Sequence, residues 1–140
     1  MAKRERDALA QVPLFQGLSS RHLRRIADVT KEERLMQGAT VVKAGDAGDT
    51  FYMILEGEAK VVSPSRRETN RLQPGDWFGE ISLLDGGPRT ASVIAETPMR
   101  ALTLKRSAFR KVLEDEPSVT VKILAQIAAL IRRLERPASG

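Results

Sequence analysis

Two hydrophobic periodicities divide the chain. Between Thr40 and Leu104, short apolar or β-branched runs alternate with turn sequences. The runs are Thr40-Val41-Val42, Phe51-Tyr52-Met53-Ile54-Leu55, Ala59-Lys60-Val61-Val62, Thr90 to Ala95, and Ala101-Leu102-Thr103-Leu104 after Pro98. Short strands at spacings of about 8–12 residues, punctuated by Gly, Pro and Asp, predict a sandwich or barrel. The turns have plain mechanisms: in Ala44-Gly45-Asp46-Ala47-Gly48-Asp49 and Gln73-Pro74-Gly75-Asp76, glycine supplies positive φ, proline presets φ, and aspartate bonds its own backbone.

The two ends follow the helical period instead. Leu14, Leu18, Leu23 and Ile26 are spaced for helical turns, with Ser19-Ser20 as an N-cap before a helix over Arg21–Val29. Arg106 to Leu113 predicts a short helix, closed by an acidic patch and Pro117. Pro117 suits a first helical turn. After it, Val119, Ile123/Leu124, Ile127, Leu130/Ile131 and Leu134 form one apolar stripe, and Pro137 marks its stop. The stripe predicts packing against the β region or a partner helix. The order is helix, β-roll, helix. The expected organisation is one domain over 1–140: an N-terminal helical segment at 1–30, a β-roll at 35–105, and C-terminal helices at 106–136. Lys3-Arg4-Glu5-Arg6 reads as a frayed polar end. His22, among Arg21, Arg24 and Arg25, reads as a helix-surface residue, and Trp77 as a core residue.

Composition narrows the classes. A length of 140 residues fits one domain, and 41% hydrophobic residues suffice for one core. No apolar run approaches the roughly 18 residues of a membrane span, and no apolar stretch follows the basic N-terminus to make a secretory signal. No cysteine is present, which excludes thiolate metal sites, disulfides and Cys nucleophiles, and a single histidine excludes multi-histidine metal centres. A soluble cytoplasmic domain is the expectation. The formal charge of +5 invites a polyanion reading, but residues 1–25 carry +4, residues 26–99 carry −4 and residues 100–140 carry +5. That distribution is not a basic groove across a fold.

The stretch with the most chemistry is Phe78-Gly79-Glu80-Ile81-Ser82-Leu83-Leu84-Asp85-Gly86-Gly87-Pro88-Arg89-Thr90-Ala91-Ser92-Val93. A glycine opens a short apolar turn, a Gly-Gly-Pro bend follows, and Arg89 heads the next strand. The elements of an anion cradle are present. Unpaired N–H groups at a helix start favour a negative ligand, Gly79 permits close backbone approach, and Arg89 offers a planar fork for two phosphate oxygens. Glu80 repels phosphate but can accept a hydrogen bond from a sugar hydroxyl.

This segment resembles the phosphate-binding cassette of the cyclic-nucleotide-binding domain family, F-G-E-x-x-L, a short spacer, then P-R-[ATS]-A, at every fixed position. Val12-Pro13-Leu14-Phe15 with Leu18-Ser19, and Gly45-Asp46 through Tyr52-Met53-Ile54-Leu55-Glu56-Gly57, resemble the same family, so the likeness covers roughly residues 10–136. It implies a mainly β fold with flanking helices: a double-stranded, jelly-roll-like β-roll, N-terminal helices and two C-terminal helices, with the cassette at 78–91. It further implies that Arg89 pairs with a cyclic phosphate, helped by the N–H of Ser82 beside Ile81 and by Thr90. Glu80 and Gly79 would hold the ribose 2′-hydroxyl, and Val61 would line the wall against the base. A lid residue on the last helix would be Leu130, with Arg133 one turn further along. Cyclic AMP is the first expected ligand and cyclic GMP stays open, because a Thr90 hydroxyl suits either. No cofactor or metal is implied.

Three function classes compete. The first is a regulatory sensor that passes nucleotide binding to an unidentified effector by moving its C-terminal helix. That helix could also pair two copies of the chain. The second is a metalloenzyme on a β-roll, which needs two or three His plus a carboxylate; one His outside the β region speaks against any enzyme. The third is a DNA-binding regulator. Beyond Arg136 only Pro137–Gly140 follow, too few for a recognition helix, so no specific nucleic-acid binding is expected unless the chain is the regulatory half of a longer transcription factor.

Overall fold

Strand β3 (Thr50–Glu56) is central to the first of two antiparallel four-stranded sheets. It lies between β8 (Met99–Lys105) and the two-residue β6 (Trp77–Phe78), and β1 (Lys31–Leu35) closes the far side of β8. The second sheet has the order β2 (Thr40–Val42), β7 (Ser92–Ala95), β4 (Ala59–Val62), β5 (Thr69–Leu72). Buried Ile54, Ala59, Val93, Ala95, Met99 and Ala101 from both sheets share one cluster, which makes the pair a β-roll. Between β6 and β7 lies a short helix, α3 (Glu80–Asp85). The computed structural model describes residues 2–64 and 69–135, so the expected stop at Pro137, Arg136 and the tail to Gly140 lie outside the described residues.

The contacts divide the chain into two compact units: Val29–Phe109, which holds the roll, and the described parts of Met1–Asp28 and Arg110–Gly140. The second unit contains α1 (Ala2–Leu9), a 3-10 turn at Pro13–Phe15, α2 (Ser20–Ala27), most of α4 (Arg106–Asp115), and α5 (Pro117–Leu134). Ser19 caps α2, its Oγ accepting from the His22 N–H at 3.2 Å. Pro117 stands in the first turn of α5. Leu9, Val12, Phe15, Ile26, Val112 and Val119 are fully buried.

Several expectations change. Lys3 to Arg6 are helical rather than frayed, because α1 packs on α2 and buries Leu9. His22 is buried, not exposed: its Nε2 lies 3.3 Å from Ser118 Oγ, 3.0 Å from the Arg21 guanidinium and 3.7 Å from Glu116. Apolar periodicity does not register a histidine buried through polar partners. Along α5, Val119 and Ile123 are buried, whereas Leu124, Ile131 and Leu134 are exposed. Strand β1, Lys-Glu-Glu-Arg-Leu, escapes hydrophobic patterning because it is an exposed edge; Arg100 of β8 ties it down by pairing with Glu32, and also bonds Glu56 at 2.7 Å. The expected Thr90–Ala95 strand begins at Ser92, which leaves Arg89 in the preceding loop. Trp77 is half-buried rather than in the core.

Candidate functional site

A cavity of about 570 Å³ opens in the roll unit, within the size range of small-molecule sites. It is lined by the β-strand residues Val42, Val61 and Val93, by the first turn of α3 and by the Gly87–Ala91 loop. The sequence-predicted residues Val61, Gly79, Glu80, Ile81, Ser82, Arg89 and Thr90 all line it. Ser82 is buried, whereas Ile81 is more than half exposed and Thr90 exposed. Leu130 and Arg133 lie on α5, in the other unit.

Arg89 is held from both ends. Its backbone N–H donates to Asp46 O and its carbonyl accepts from the Gly45 N–H, both at 2.8 Å. A bridge between Ala47 and Pro88 and a 3.0 Å bond from the Gly48 N–H to Gly87 O extend this pairing. The 44–49 turn thus acts as a clamp that fixes the arginine's backbone outside any regular strand. At the other end, Arg89 Nη2 donates to the Thr50 carbonyl at 2.6 Å. Among the described residues that carbonyl is the guanidinium's one hydrogen-bond acceptor, which leaves most of its five N–H groups available to an anion.

Two glycines make this approach possible. Gly79 caps α3 at φ +87°, and a Cβ there would lie 2.5 Å from Arg89 Nη1 and 2.7 Å from the Thr50 carbonyl. Gly48 leaves the space that a Cβ would otherwise take from Ser82 Oγ, 2.8 Å from Arg89 Nε. The guanidinium therefore runs between two turns that admit no side chain. Gly48 and Thr50 were not singled out from sequence as site residues; the Gly45–Gly48 turn and its spacing from β3 were the available signals.

Another cavity, of about 380 Å³, is lined by Asp46, Asp49, Tyr52 and Arg89 among others. Burial pushes the Tyr52 hydroxyl above its ordinary range; Glu33 and Asp49 push the same way, and Arg89 opposes them. Tyr52 stacks on Phe78, with ring centroids 4.9 Å apart, so the residue opening the cassette is anchored on β3. Among the described residues no group of three or more His, Cys, Asp or Glu could hold a metal ion. No helix among them is long and apolar enough to cross a membrane.

Known proteins resemble this chain. The family model for the cyclic nucleotide-binding domain matches residues 32–116. A cAMP-dependent protein kinase regulatory subunit of Colletotrichum orbiculare is 37% identical over 76% of this chain and 28% of its own length. The cGMP-dependent protein kinase, isozyme 1, of Drosophila melanogaster is 38% identical over 76% of this chain and 15% of its own. The chain thus spans under a third of either relative. The crystal structure of the N-terminal domain of a transcriptional regulator from Streptomyces coelicolor A3(2) superposes with a TM-score of 0.82 at 32% identity, covering 92% of this chain and 95% of that one. With the family model matching more than half its length, the chain belongs to the cyclic nucleotide-binding domain family.

Proposed function

We propose that this chain is a cytoplasmic regulatory sensor that binds a 3′,5′-cyclic nucleotide, cyclic AMP first, with cyclic GMP as the alternative. Arg89 takes the cyclic phosphate, with the N–H groups of Ile81 and Ser82 at the start of α3 and the Thr90 hydroxyl completing the cradle. Glu80 and the Gly79 backbone hold the ribose 2′-hydroxyl, and Val61 lies against the base. Ligand shifts the C-terminal helix toward a closed state in which Leu130 or Arg133 covers the base, and an effector protein or domain reads that movement. The chain catalyses nothing in this reading; the relative named as a regulatory subunit supports that side. The names of the two kinase relatives leave the base open, since one is cAMP-dependent and the other cGMP-dependent.

The observation that carries the proposal is the mounting of Arg89, gripped by the 44–49 turn and by Thr50 beside a cavity of nucleotide size. Calorimetric titration with cyclic AMP and cyclic GMP tests it against Arg89→Ala. Losing a charge-assisted bidentate contact costs about 2–4 kcal/mol, so the variant binds on the order of 30- to 1000-fold more weakly. Equal binding by variant and wild type would sink the assignment.

A second reading concerns what the module serves. The likeness to the N-terminal domain of a transcriptional regulator favours a role as the regulatory half of a DNA-binding protein. The exposed Val121, Leu124, Ala128 and Ile131 of α5 are spaced three and four apart and suit pairing with a second copy of the helix.

A further inference from the structure

His22 is the chain's single histidine, and the nucleotide reading gives it no task. It lies on α2 within the helical unit, with its side chain 7% exposed. Three groups meet its Nε2: Arg21 Nη2 at 3.0 Å, Ser118 Oγ at 3.3 Å and Glu116 Oε2 at 3.7 Å. A guanidinium donates and never accepts. Nε2 therefore accepts from Arg21, and the proton of the neutral ring sits on Nδ1. Nδ1 is buried and has no hydrogen-bond partner among the described residues. A buried N–H without an acceptor is costly, so it is the Arg21 contact that holds this tautomer.

Protonation turns Nε2 from acceptor into donor. The lone pairs beside it are then those of Ser118 and Glu116, and the Arg21 guanidinium becomes a like charge at 3.0 Å. Exposure decides which partner gives way. The Arg21 side chain is 71% exposed, whereas that of Glu116 is 20% exposed. Arg21 swings into solvent, and Glu116, which it contacts at 3.2 and 3.4 Å, passes to the histidine. Glu116 immediately precedes α5: its carbonyl accepts from the Val119 N–H at 2.9 Å and the Thr120 N–H at 3.4 Å, and its own N–H donates to Val112 O at 2.8 Å. Ser118 stands in the first turn of α5. The exchange thus acts where α4 ends and α5 begins. The other charges on the surrounding elements are Arg24 and Arg25 of α2, the latter paired with Asp115 of α4 at 3.0 Å, Lys122 of α5, and the half-buried Glu5 and Arg6 of α1.

We infer that His22 is a proton-operated switch, which on protonation exchanges Arg21 for Glu116 and Ser118 and so fastens α2 to the start of α5. In the neutral state the tie between α2 and Glu116 is an ion pair made by an exposed arginine, which contributes little. In the protonated state it is a charge-assisted bond from a buried ring. Histidine ordinarily changes charge between about pH 5 and 8, so the exchange falls in the physiological range. The cavity of the roll takes no part in it, and the inference stands apart from the nucleotide reading.

The test uses the full chain without ligand, beside the variants Arg21→Met and Glu116→Gln. Both variants change side chains more exposed than the ring, so the ring stays in place while its partners change. Imidazole nitrogen resonances report His22 alone, because the chain has one histidine. Amide protection factors at Val119 and Thr120, whose N–H groups bond the Glu116 carbonyl, report the junction. At about pH 8 the wild-type ring carries its proton on Nδ1; a proton on Nε2 there overturns the inference. On acidification to about pH 5, protection at the two amides rises on the order of tenfold, the scale of one hydrogen bond to a charged group, and it follows the titration of His22 itself. Protection that stays flat, or that changes with a different midpoint, rejects the switch. In Glu116→Gln the ring still titrates but most of the rise is lost, since a neutral amide accepts more weakly than a carboxylate. A full rise in that variant would mean that Glu116 is not the partner gained, and the inference fails. In Arg21→Met the proton of the neutral ring moves to Nε2, and a ring that keeps the wild-type tautomer overturns the role given to Arg21.

Discussion

The roll unit and the helical unit divide the molecule's charge unevenly. Residues 29–109 carry 11 basic and 11 acidic side chains, a net of zero, whereas residues 1–28 and 110–140 carry 12 and 7, the whole +5 of the chain. Yet the proposed anion site lies in the neutral unit. What sets it apart there is one arginine fixed by backbone pairing and glycines that let it pass, not a field. The charged unit instead combines its basic surplus with exposed apolar side chains at Val121, Leu124, Ile131 and Leu134. One unit contains the cavity, and the other presents exposed apolar surface.

The sharpest way to break this division is within α5, where neighbouring residues fall on opposite sides of it. Ile123 is 3% exposed and Leu124 is 60% exposed. Ile123→Ala removes buried methyl groups and leaves a cavity, so it destabilises by about 2–5 kcal/mol. Leu124→Ala changes stability by no more than roughly 0.5 kcal/mol, as surface substitutions do. Urea unfolding at a protein concentration low enough to suppress self-association measures both. Similar losses at the two positions would mean that α5 is covered along its full stripe.

Within the roll the corresponding contrast is between two glycines of similar backbone angle. Gly79 and Gly38 have φ of +87° and +86°, but a Cβ at Gly38 meets nothing within 4 Å, whereas one at Gly79 meets Arg89 and the Thr50 carbonyl. Gly38→Ala therefore carries backbone strain alone, about 1 kcal/mol. Gly79→Ala adds a clash with backbone that cannot rotate away, for a total of about 2–4 kcal/mol, and it also displaces the arginine. Urea midpoints give the difference. Equal losses would show that the close passage of Arg89 past Gly79 contributes nothing.

What could be read in advance divides along the same line. The cassette was legible because its chemistry is consecutive: Gly79, Glu80, Ser82 and Arg89 fall within one short stretch, and the fold has only to close it. The clamp on Arg89 was not legible, because Asp46, Gly48 and Thr50 lie about forty residues upstream and act mostly through backbone groups. Strands with apolar runs, such as Ala59–Val62, were found at their observed bounds. Strands β1 and β5, Lys31–Leu35 and Thr69–Leu72, were missed because edge strands face solvent and carry polar residues. On α5 the stripe revealed the helix but not how far along it burial extends, which depends on what the rest of the chain supplies.

The smallest expected effect is a titration, and it ties Tyr52 to the arginine. Tyr52 is the chain's one tyrosine, so tyrosinate absorbance reports it alone. Burial, with Glu33 and Asp49, raises its pKa above 10.0 in the folded protein, while Arg89 pulls it back. The folded midpoint therefore lies above 10.0 and returns to that value in urea. Because the folded state holds this proton more tightly, Tyr52's contribution to stability is intact below pH 10.0 and fades as pH rises from there through the folded pKa. Tyr52→Phe removes that share of the alkaline loss, so its stability falls less steeply above pH 10.0 than that of wild type. An anion bound at Arg89 offsets the one influence that lowers the Tyr52 pKa, so saturating cyclic AMP moves the midpoint upward again. Arg89→Ala raises it without ligand and abolishes the response to ligand. A midpoint indifferent to both would separate Tyr52 from the proposed anion site.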